Sequence, residues 1–409
     1  MSGISPLAPK KFPTMPVVAG VRLAAIAAGE RYTGRDDLLL AELAAGTRVA
    51  GVLTRSQIPG APVTWCRDLL PQGRARGLVV NAGNANVFTG KSGGRAVGRT
   101  AKAAAKLLRA APDEVFIAST GVIGEPLAVE RITRALPPLC GKLSPTSWHD
   151  GARAIMTTDT FPKGASRRVK IGGESVTIAG IAKGSGMIAP NMATMLAFIF
   201  TDARVPVRVM NSVLRMANDR SFNSITVDGD TSTSDTCLLF ATGQVHHPAV
   251  SRAGDPRLIG FRAALQEVMT DLAQQIVRDG EGAEKFLTVH VRGAASEAAA
   301  RRAGLVVANS PLVKTAVAGA DANWGRLVMA IGRSGEKIRP DKLAIAIGGQ
   351  RVARGGRKAP GYREAKAARH MRGREIDIAI DLGVGKGNAT VWSCDLTHRY
   401  IDINADYRS

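Results

Sequence analysis

Short apolar runs rich in β-branched residues recur along the chain, at 49–54, 77–81, 115–119, 175–182 and 194–201. Helix-like stretches at 95–110, 207–218 and 258–277 are interspersed with them. The apolar runs are too short for helices and read as strands. Alternation of strand and helix from end to end places the chain in the α/β or α+β class. Near the C-terminus, 375–381 alternates strictly (E-I-D-I-A-I-D), followed by the glycine-rich GVGKGN and another strand-like run at 389–393. That pattern predicts a hairpin with one buried face. No linker or repeat announces a domain boundary.

At 409 residues the chain has material for two or three domains or one large α/β unit. Its hydrophobic fraction is 45%, enough for a large core, and with only 4% aromatics the aliphatic residues must build it. No apolar run reaches membrane-spanning length. The opening MSGISPLAPKKFPTMP is broken by prolines and lacks a secretory apolar core. A soluble, cytoplasmic protein without a membrane partner is expected. Cys66, Cys140, Cys237 and Cys394 lie far apart with no histidine at ligand spacing, so neither a metal site nor a disulfide framework is expected. The net charge of +21 is densest at 351–375 and would suit a nucleic-acid binder. No zinc-finger spacing, RNA-recognition signature or aromatic interleaving accompanies it, so the stretch reads as a solvated loop and helix face.

Two phosphate-binding patterns call for weighing. Residues 85–92, ANVFTGKS, fit a relaxed phosphate loop between a strand and a helix, with Lys91 to neutralise a phosphate. Ala85 replaces the first glycine, and Gly93 and Gly94 stand where the helix should start. Nucleotide binding at 85–92 is kept as an alternative. Residues 184–189, GSGMIA, match a dinucleotide fingerprint with Asp202 at a plausible distance. Pro190 follows at once and would interrupt the required helix, so this second pattern is set aside.

The segment KGSGMIAPNMATMLAFIFTDA, 183–203, carries the chemical argument. Glycines 184 and 186 open a loop, Pro190 and Asn191 make a turn, and Ala193 precedes Thr194 at the head of an apolar strand. A small residue before a threonine in a constrained loop suits attack of the hydroxyl on the preceding carbonyl. Hydrolysis of the resulting ester leaves Thr194 as a new N-terminus. Its α-amine, with an ordinary pKa of about 7.7–8.0, can act as base for its own hydroxyl. The bland alternative is a threonine that simply favours a strand.

The same segment closely resembles the autocleavage signature of the ornithine acetyltransferase family, the bifunctional glutamate N-acetyltransferases and amino-acid acetyltransferases of arginine biosynthesis. Further blocks resemble the family in its own order: VNAGNANVFTG at 80–90, IASTGVIGEPL at 117–127, MTTDTFPK at 156–163, SFNSITVDGDTSTSDT at 221–236, GEGAEKF at 280–286, ADANWGR at 320–326 and CDLTHRYIDINADYRS at 394–409. The resemblance implies cleavage between Ala193 and Thr194 and an acetyl ester on Thr194. The acetyl comes from N-acetylornithine and passes to glutamate in ping-pong fashion. It places Thr120 and Gly121 in the oxyanion hole, and Thr157, Lys183, Thr194, Glu281, Asn404 and Ser409 around the substrate. Lys183 suits a carboxylate or a role in lowering the Thr194 amine pKa, and Glu281 suits a substrate ammonium. Thr158 and Thr160 leave the register of Thr157 open.

The implied fold is layered sheets with helices outside and a smaller second domain. Fragments 1–193 and 194–409 stay together as one catalytic unit, in a tetramer of two α and two β chains. No cofactor is expected, and acetyl-CoA remains open as a second acetyl donor. A self-cleaving amidase or aminopeptidase is the runner-up, distinguished by whether the acetyl group ends on glutamate or as acetate. The basic 351–375 stretch and the opening PLAPKKFPTMP match the family loosely.

Overall fold

A computed structural model describes residues 3–29, 31–189 and 195–405. The first part of the chain runs through β1 (Val21–Ile26), β2 (Leu38–Leu43), β3 (Arg48–Leu53), α1 (Ala61–Leu69), β4 (Gly77–Asn84), α2 (Gly90–Leu108), β5 (Val115–Val122), α3 (Val129–Cys140) and α4 (Trp148–Ala154). It continues with β6 (Lys163–Ile171), β7 (Glu174–Lys183), β8 (Leu196–Ala203), α5 (Val207–Asp219), β9 (Thr236–Val245) and α6 (Ile259–Arg278). One sheet has the order β1-β2-β4-β5 and another the order β3-β9-β8-β7-β6.

The two sheets pack face to face, and helices cover both outer faces. The pleat explains why their strands read as continuous apolar runs. In β8, Leu196, Phe198 and Phe200 point to the other sheet, while Ala197 and Ile199 point to the layer of α5 and α6. In β5, Phe116 and Ala118 face between the sheets and Val115 and Ile117 face α2 and α3. The few aromatics concentrate between the sheets, where Phe200 stacks on Phe240 at 5.3 Å and meets Trp148 edge-on at 5.6 Å. β6 and β7 form a hairpin closed by Gly172 and Gly173, at φ +57° and +97°, values a two-residue turn demands and glycine supplies.

The rest of the chain builds a smaller unit with its own core. It comprises β10 (Phe286–Ala294), α7 (Glu297–Ala308), α8 (Pro311–Ala318), α9 (Trp324–Gly332), β11 (Ala344–Ile347), β12 (Gln350–Arg354), β13 (Arg357–Lys358), α10 (Glu364–Met371), β14 (Glu375–Asp381) and β15 (Gly387–Cys394). Its sheet has the order β13-β12-β11-β14-β10-β15, and α11 (His398–Ala405) follows it. The mixed α/β architecture, layered sheets and smaller second unit agree with the sequence expectation.

Two local expectations are corrected. β14 and β15 are not a hairpin, because β10 lies between them, parallel to β14 and antiparallel to β15. The glycine-rich connection hooks over the end of β10, where the N–H groups of Val384 and Gly385 donate to the Gly293 carbonyl. The buried face of β14 is as expected, with Ile376, Ile378 and Ile380 inside. The helix expected from 95 begins instead at Gly90 and runs through Gly93 and Gly94. Packing overrides propensity here: a Cβ on Gly93 would sit 2.1 Å from Thr89 Oγ1 and 2.7 Å from Asn86 Oδ1.

Candidate active site

The C-terminal ends of β4, β5 and β7 and the start of β8 converge at one end of the sandwich. Here a cavity of about 260 Å³ is lined by Thr120, Gly121, Thr157, Lys183, Glu281 and Asn404, with Ser232, Thr233 and Ser234 on another wall. Six residues dispersed between Thr120 and Asn404 are thus brought together.

At the end of β5, the register with β4 slips so that Asn84 faces both Thr120 and Val122. Such a bulge re-aims the backbone. Gly121 takes φ +134°, and a Cβ there would lie 2.3 Å from the Gly83 carbonyl carbon, so no other residue fits without moving β4. Thr120 beside it is buried. Lys183 Nζ donates to Thr120 Oγ1 at 3.2 Å and to Thr157 Oγ1 at 2.7 Å. Of the neighbouring threonines, Thr158 instead bonds Ser185 Oγ at 2.6 Å, and Thr160 turns away to Asp279.

Beneath Lys183 lies a charge cluster withdrawn from water. Lys163 Nζ bonds Asp159 Oδ1 and Asp279 Oδ2, each at 2.6 Å, with all three side chains fully buried. Asp159 also accepts the N–H groups of Gly184 at 2.7 Å and Thr157 at 3.0 Å, so it fixes two cavity segments at once. Burial pushes the Asp159 carboxyl up, but Lys163 and Lys183 outweigh it and hold the group below the usual range. Asp279 is raised to about 6 by burial and by Asp159, against the pull of Lys163. Two carboxylates on one ammonium share a proton more readily than two charges, and Asp279 is the one that takes it. Burial and the charge of Lys163 lower the Lys183 pKa, with Asp159 and Glu281 opposing.

Residues 184–189 form a bend and not the helix that a dinucleotide site would need, in line with setting that pattern aside. Asp228 clamps this turn, accepting N–H groups from Met187 at 2.6 Å and Ile188 at 2.9 Å. The Tyr400 hydroxyl of α11 donates to the same carboxylate at 3.3 Å. Further along α11, Asn404 Nδ2 donates to Glu281 Oε2 at 2.8 Å. Gly186 makes room for that pair, since a Cβ on it would fall 2.4 Å from the Glu281 carboxyl. At the other motif, 85–92, the loop is tied to its own helix: Asn86 Nδ2 donates to the Gly93 carbonyl at 3.1 Å and Thr89 Oγ1 to Asn86 Oδ1 at 2.9 Å.

Ala193, Thr194 and Ser409 lie outside the described residues. The residue after Thr194 is described: Met195 is buried and its N–H donates to Asp235 Oδ1 at 3.0 Å. Leu196 then pairs with Lys183 across β8 and β7.

Sequence reasoning missed Asp159, Lys163, Asp279, Asp228 and Asp235. Asp159 and Lys163 sit four apart inside MTTDTFPK, and Asp228 and Asp235 inside SFNSITVDGDTSTSDT, so the signal was present as charged residues within blocks rich in serine and threonine. Among the described residues, no group of three or more histidine, cysteine or acidic side chains could hold a metal ion, and no helix is long and apolar enough to cross a membrane.

The sequence model of the ArgJ family matches residues 22–409. The chain belongs to the ArgJ family. It is 56% identical over 406 residues to the arginine biosynthesis bifunctional protein ArgJ of Gluconobacter oxydans, covering 99% of this chain and 96% of that one. It is likewise 56% identical to the ArgJ of Ruegeria pomeroyi, over 99% of this chain and 98% of that one. A crystal structure of ArgJ from Bacillus halodurans, 39% identical, covers 51% of this chain and 97% of that chain with a TM-score of 0.49. The expected class, an acetyltransferase of arginine biosynthesis, is therefore that of this ArgJ-family chain.

Proposed function

We propose that the protein cleaves itself between Ala193 and Thr194 and then carries an acetyl group on Thr194 from N2-acetyl-L-ornithine to L-glutamate. The observation that carries this reading is the contact of Lys183 with both Thr120 and Thr157, on the strand next to the one that follows Thr194. The Thr194 α-amine takes the proton of its own hydroxyl as Oγ attacks the acetyl carbonyl. The C–O bond forms, the C–N bond breaks, and ornithine leaves with the proton. Glutamate then repeats the sequence in reverse on the ester. Two acyl transfers replace one difficult amide exchange.

Each tetrahedral intermediate needs donors for its oxyanion. Thr120 Oγ1 already accepts from Lys183, so its own O–H is free to point at the cavity. The Gly121 N–H, on backbone that no side chain obstructs, is the second donor. Lys183 keeps positive charge near the Thr194 amine and lowers that amine's pKa by repulsion. Glu281 and Asn404 receive the amino-acid end of the substrate, and Ser409 is a further substrate contact implied by the family resemblance. Enclosure protects the ester from water until glutamate arrives.

Fragments 1–193 and 194–409 remain one catalytic unit, assembled as two α and two β chains in the cytoplasm. Acetyl-CoA is a second donor for the same ester. Intact mass under denaturing conditions, with N-terminal sequencing, tests the cleavage: two fragments, one starting at Thr194, are expected, and Thr194→Ala should stay whole. A single uncut species that transfers no acetyl group would end the reading. Acetate released in place of acetylglutamate would make the protein a hydrolase.

A further inference from the structure

The segment leading into β9 carries two buried oxygen atoms with nothing to bind among the described residues. Thr233 lines the cavity, and Asp235 two residues on is fully buried. The Asp235 main-chain carbonyl accepts from Thr54, and its Oδ1 accepts from Met195. Its Oδ2 and the Thr233 Oγ1 have no hydrogen-bond partner among the described residues. A buried polar atom left bare has lost its water without compensation, so two of them two residues apart ask for an occupant. The occupant must be a donor, and it must arise beside Met195. Self-cleavage creates one. The α-amine of residue 194 lies three covalent bonds from the Met195 nitrogen that Asp235 already holds, and in the intact chain that same nitrogen is an amide.

We propose that Asp235 Oδ2 and Thr233 Oγ1 are the seat of the new Thr194 α-amine, making Asp235 a positioning residue for the nucleophile. The inference rests on the self-cleavage proposed above. Asp235 Oδ1 fixes the start of β8 through Met195, and Oδ2 fixes the amine one residue earlier, so one carboxyl sets both position and direction of the nucleophile. It also bears on when the amine is a base. Beside a carboxylate the amine holds its proton to higher pH, and beside a neutral partner it gives it up sooner. Burial pushes the Asp235 carboxyl well above the carboxylate range, opposed by the Met195 bond and by Lys183. Lys183 on β7 is the charged group that faces Asp235, and Asp159, Lys163 and Glu281 stand around Lys183.

Asp235→Asn separates these roles, because an amide oxygen still accepts the Met195 N–H but cannot ionise. Full-length wild type and Asp235→Asn are compared by intact mass, melting temperature and the pH dependence of kcat/KM for N-acetylornithine, across about pH 6 to 9 where an α-amine titrates. The ammonium that forms at residue 194 favours the ionised Asp235 it pairs with, so Asp235→Asn should fold and cleave, lose about tenfold in kcat with KM little changed, and show its acid limb displaced to lower pH. Thr233→Val should lose about threefold. A cleaved Asp235→Asn enzyme with wild-type kcat and pH profile would overturn the proposal. So would a folded Asp235→Asn chain that stays uncut, which would assign the residue to cleavage itself. An uncut wild type removes the self-cleavage reading, a result distinct from either.

Discussion

The basic side chains of 351–374 and the charges around the cavity are handled in opposite ways. Arg351, Arg354, Arg357 and Lys358 stand in water on β12 and β13, the outer edge of the third sheet. Asp159, Lys163, Lys183 and Asp279 are out of water and bonded to one another or to cavity hydroxyls. The first group adds to the net charge without touching the cavity, and the second sets the geometry of the cavity. Charge on an edge strand discourages another strand from pairing with it. Charge in the interior is tolerated only when matched, and its placement then becomes rigid. The total charge of +21 therefore points to the wrong region of the molecule.

The sharpest break of this contrast is Lys163→Met. It leaves two buried carboxyls facing each other, and removing one partner of a buried ion pair costs about 3–5 kcal/mol. Urea unfolding should show that loss, and a variant with wild-type stability would deny the cluster its structural role. Next in size is Thr120→Ala, which removes the proposed oxyanion donor and one acceptor of Lys183 while leaving the Lys163 pairs with Asp159 and Asp279 in place. Its kcat should fall about 10²–10³-fold with melting temperature nearly kept. A large loss of stability and a small loss of kcat would make Thr120 a packing residue that happens to face the cavity.

The cluster also predicts a pH dependence that the exposed face cannot produce. Asp279 binds its proton more tightly folded than unfolded, so stability falls as pH rises from about 4 towards about 6. Asp159 is held below its ordinary value, so its contribution is present above about pH 4 and is lost as pH falls further. Asp279→Asn should flatten the upper step and keep the lower one. An upper step left unchanged in this variant would show that Asp279 does not titrate with folding. Smaller again is Asn404→Ala. It breaks one bond to Glu281 on an exposed helix, and KM for N-acetylornithine should rise about fivefold with kcat within about twofold.

The same contrast explains what could be read from the sequence. The strands at 77–81, 115–119 and 175–182 were legible because both of their faces are largely buried, which favours apolar residues at consecutive positions, and 49–54 was legible through the same kind of run although β3 is only partly buried. The order of the third sheet was not, since the alternation in β14 fixes which face is buried but carries no information on which strand lies alongside. Thr120, Gly121, Thr157, Lys183, Glu281 and Asn404 were found through resemblance, and the structure brings them to one cavity. The ion cluster beneath them escaped notice, because pairing at 2.6 Å between Lys163 and Asp279 joins residues 116 apart. No local spacing encodes that meeting. The helix at Gly90 was placed late for a related reason: the fit of Gly93 under Asn86 and Thr89 is a property of the folded loop, invisible to helix propensity.

The smallest effect is expected on the exposed face, and it tests the contrast from the other side. Replacing Arg351, Arg354 and Arg357 together by glutamine removes three positive charges, none of which lines the cavity. Surface changes of this kind alter stability by about 0.5 kcal/mol or less. A basic surface still attracts an anion such as glutamate over a distance, and salt screens that attraction with a Debye length of about 8 Å at physiological ionic strength. The triple variant should therefore lose about twofold in kcat/KM for glutamate at low salt and match the wild type at physiological salt. A deficit that persists in salt would mean that these side chains act through contact, and the separation of buried from exposed charge drawn above would fail at this face. Soluble aggregates in the triple variant, absent from the wild type, would instead assign the arginines to guarding the open edge of β13.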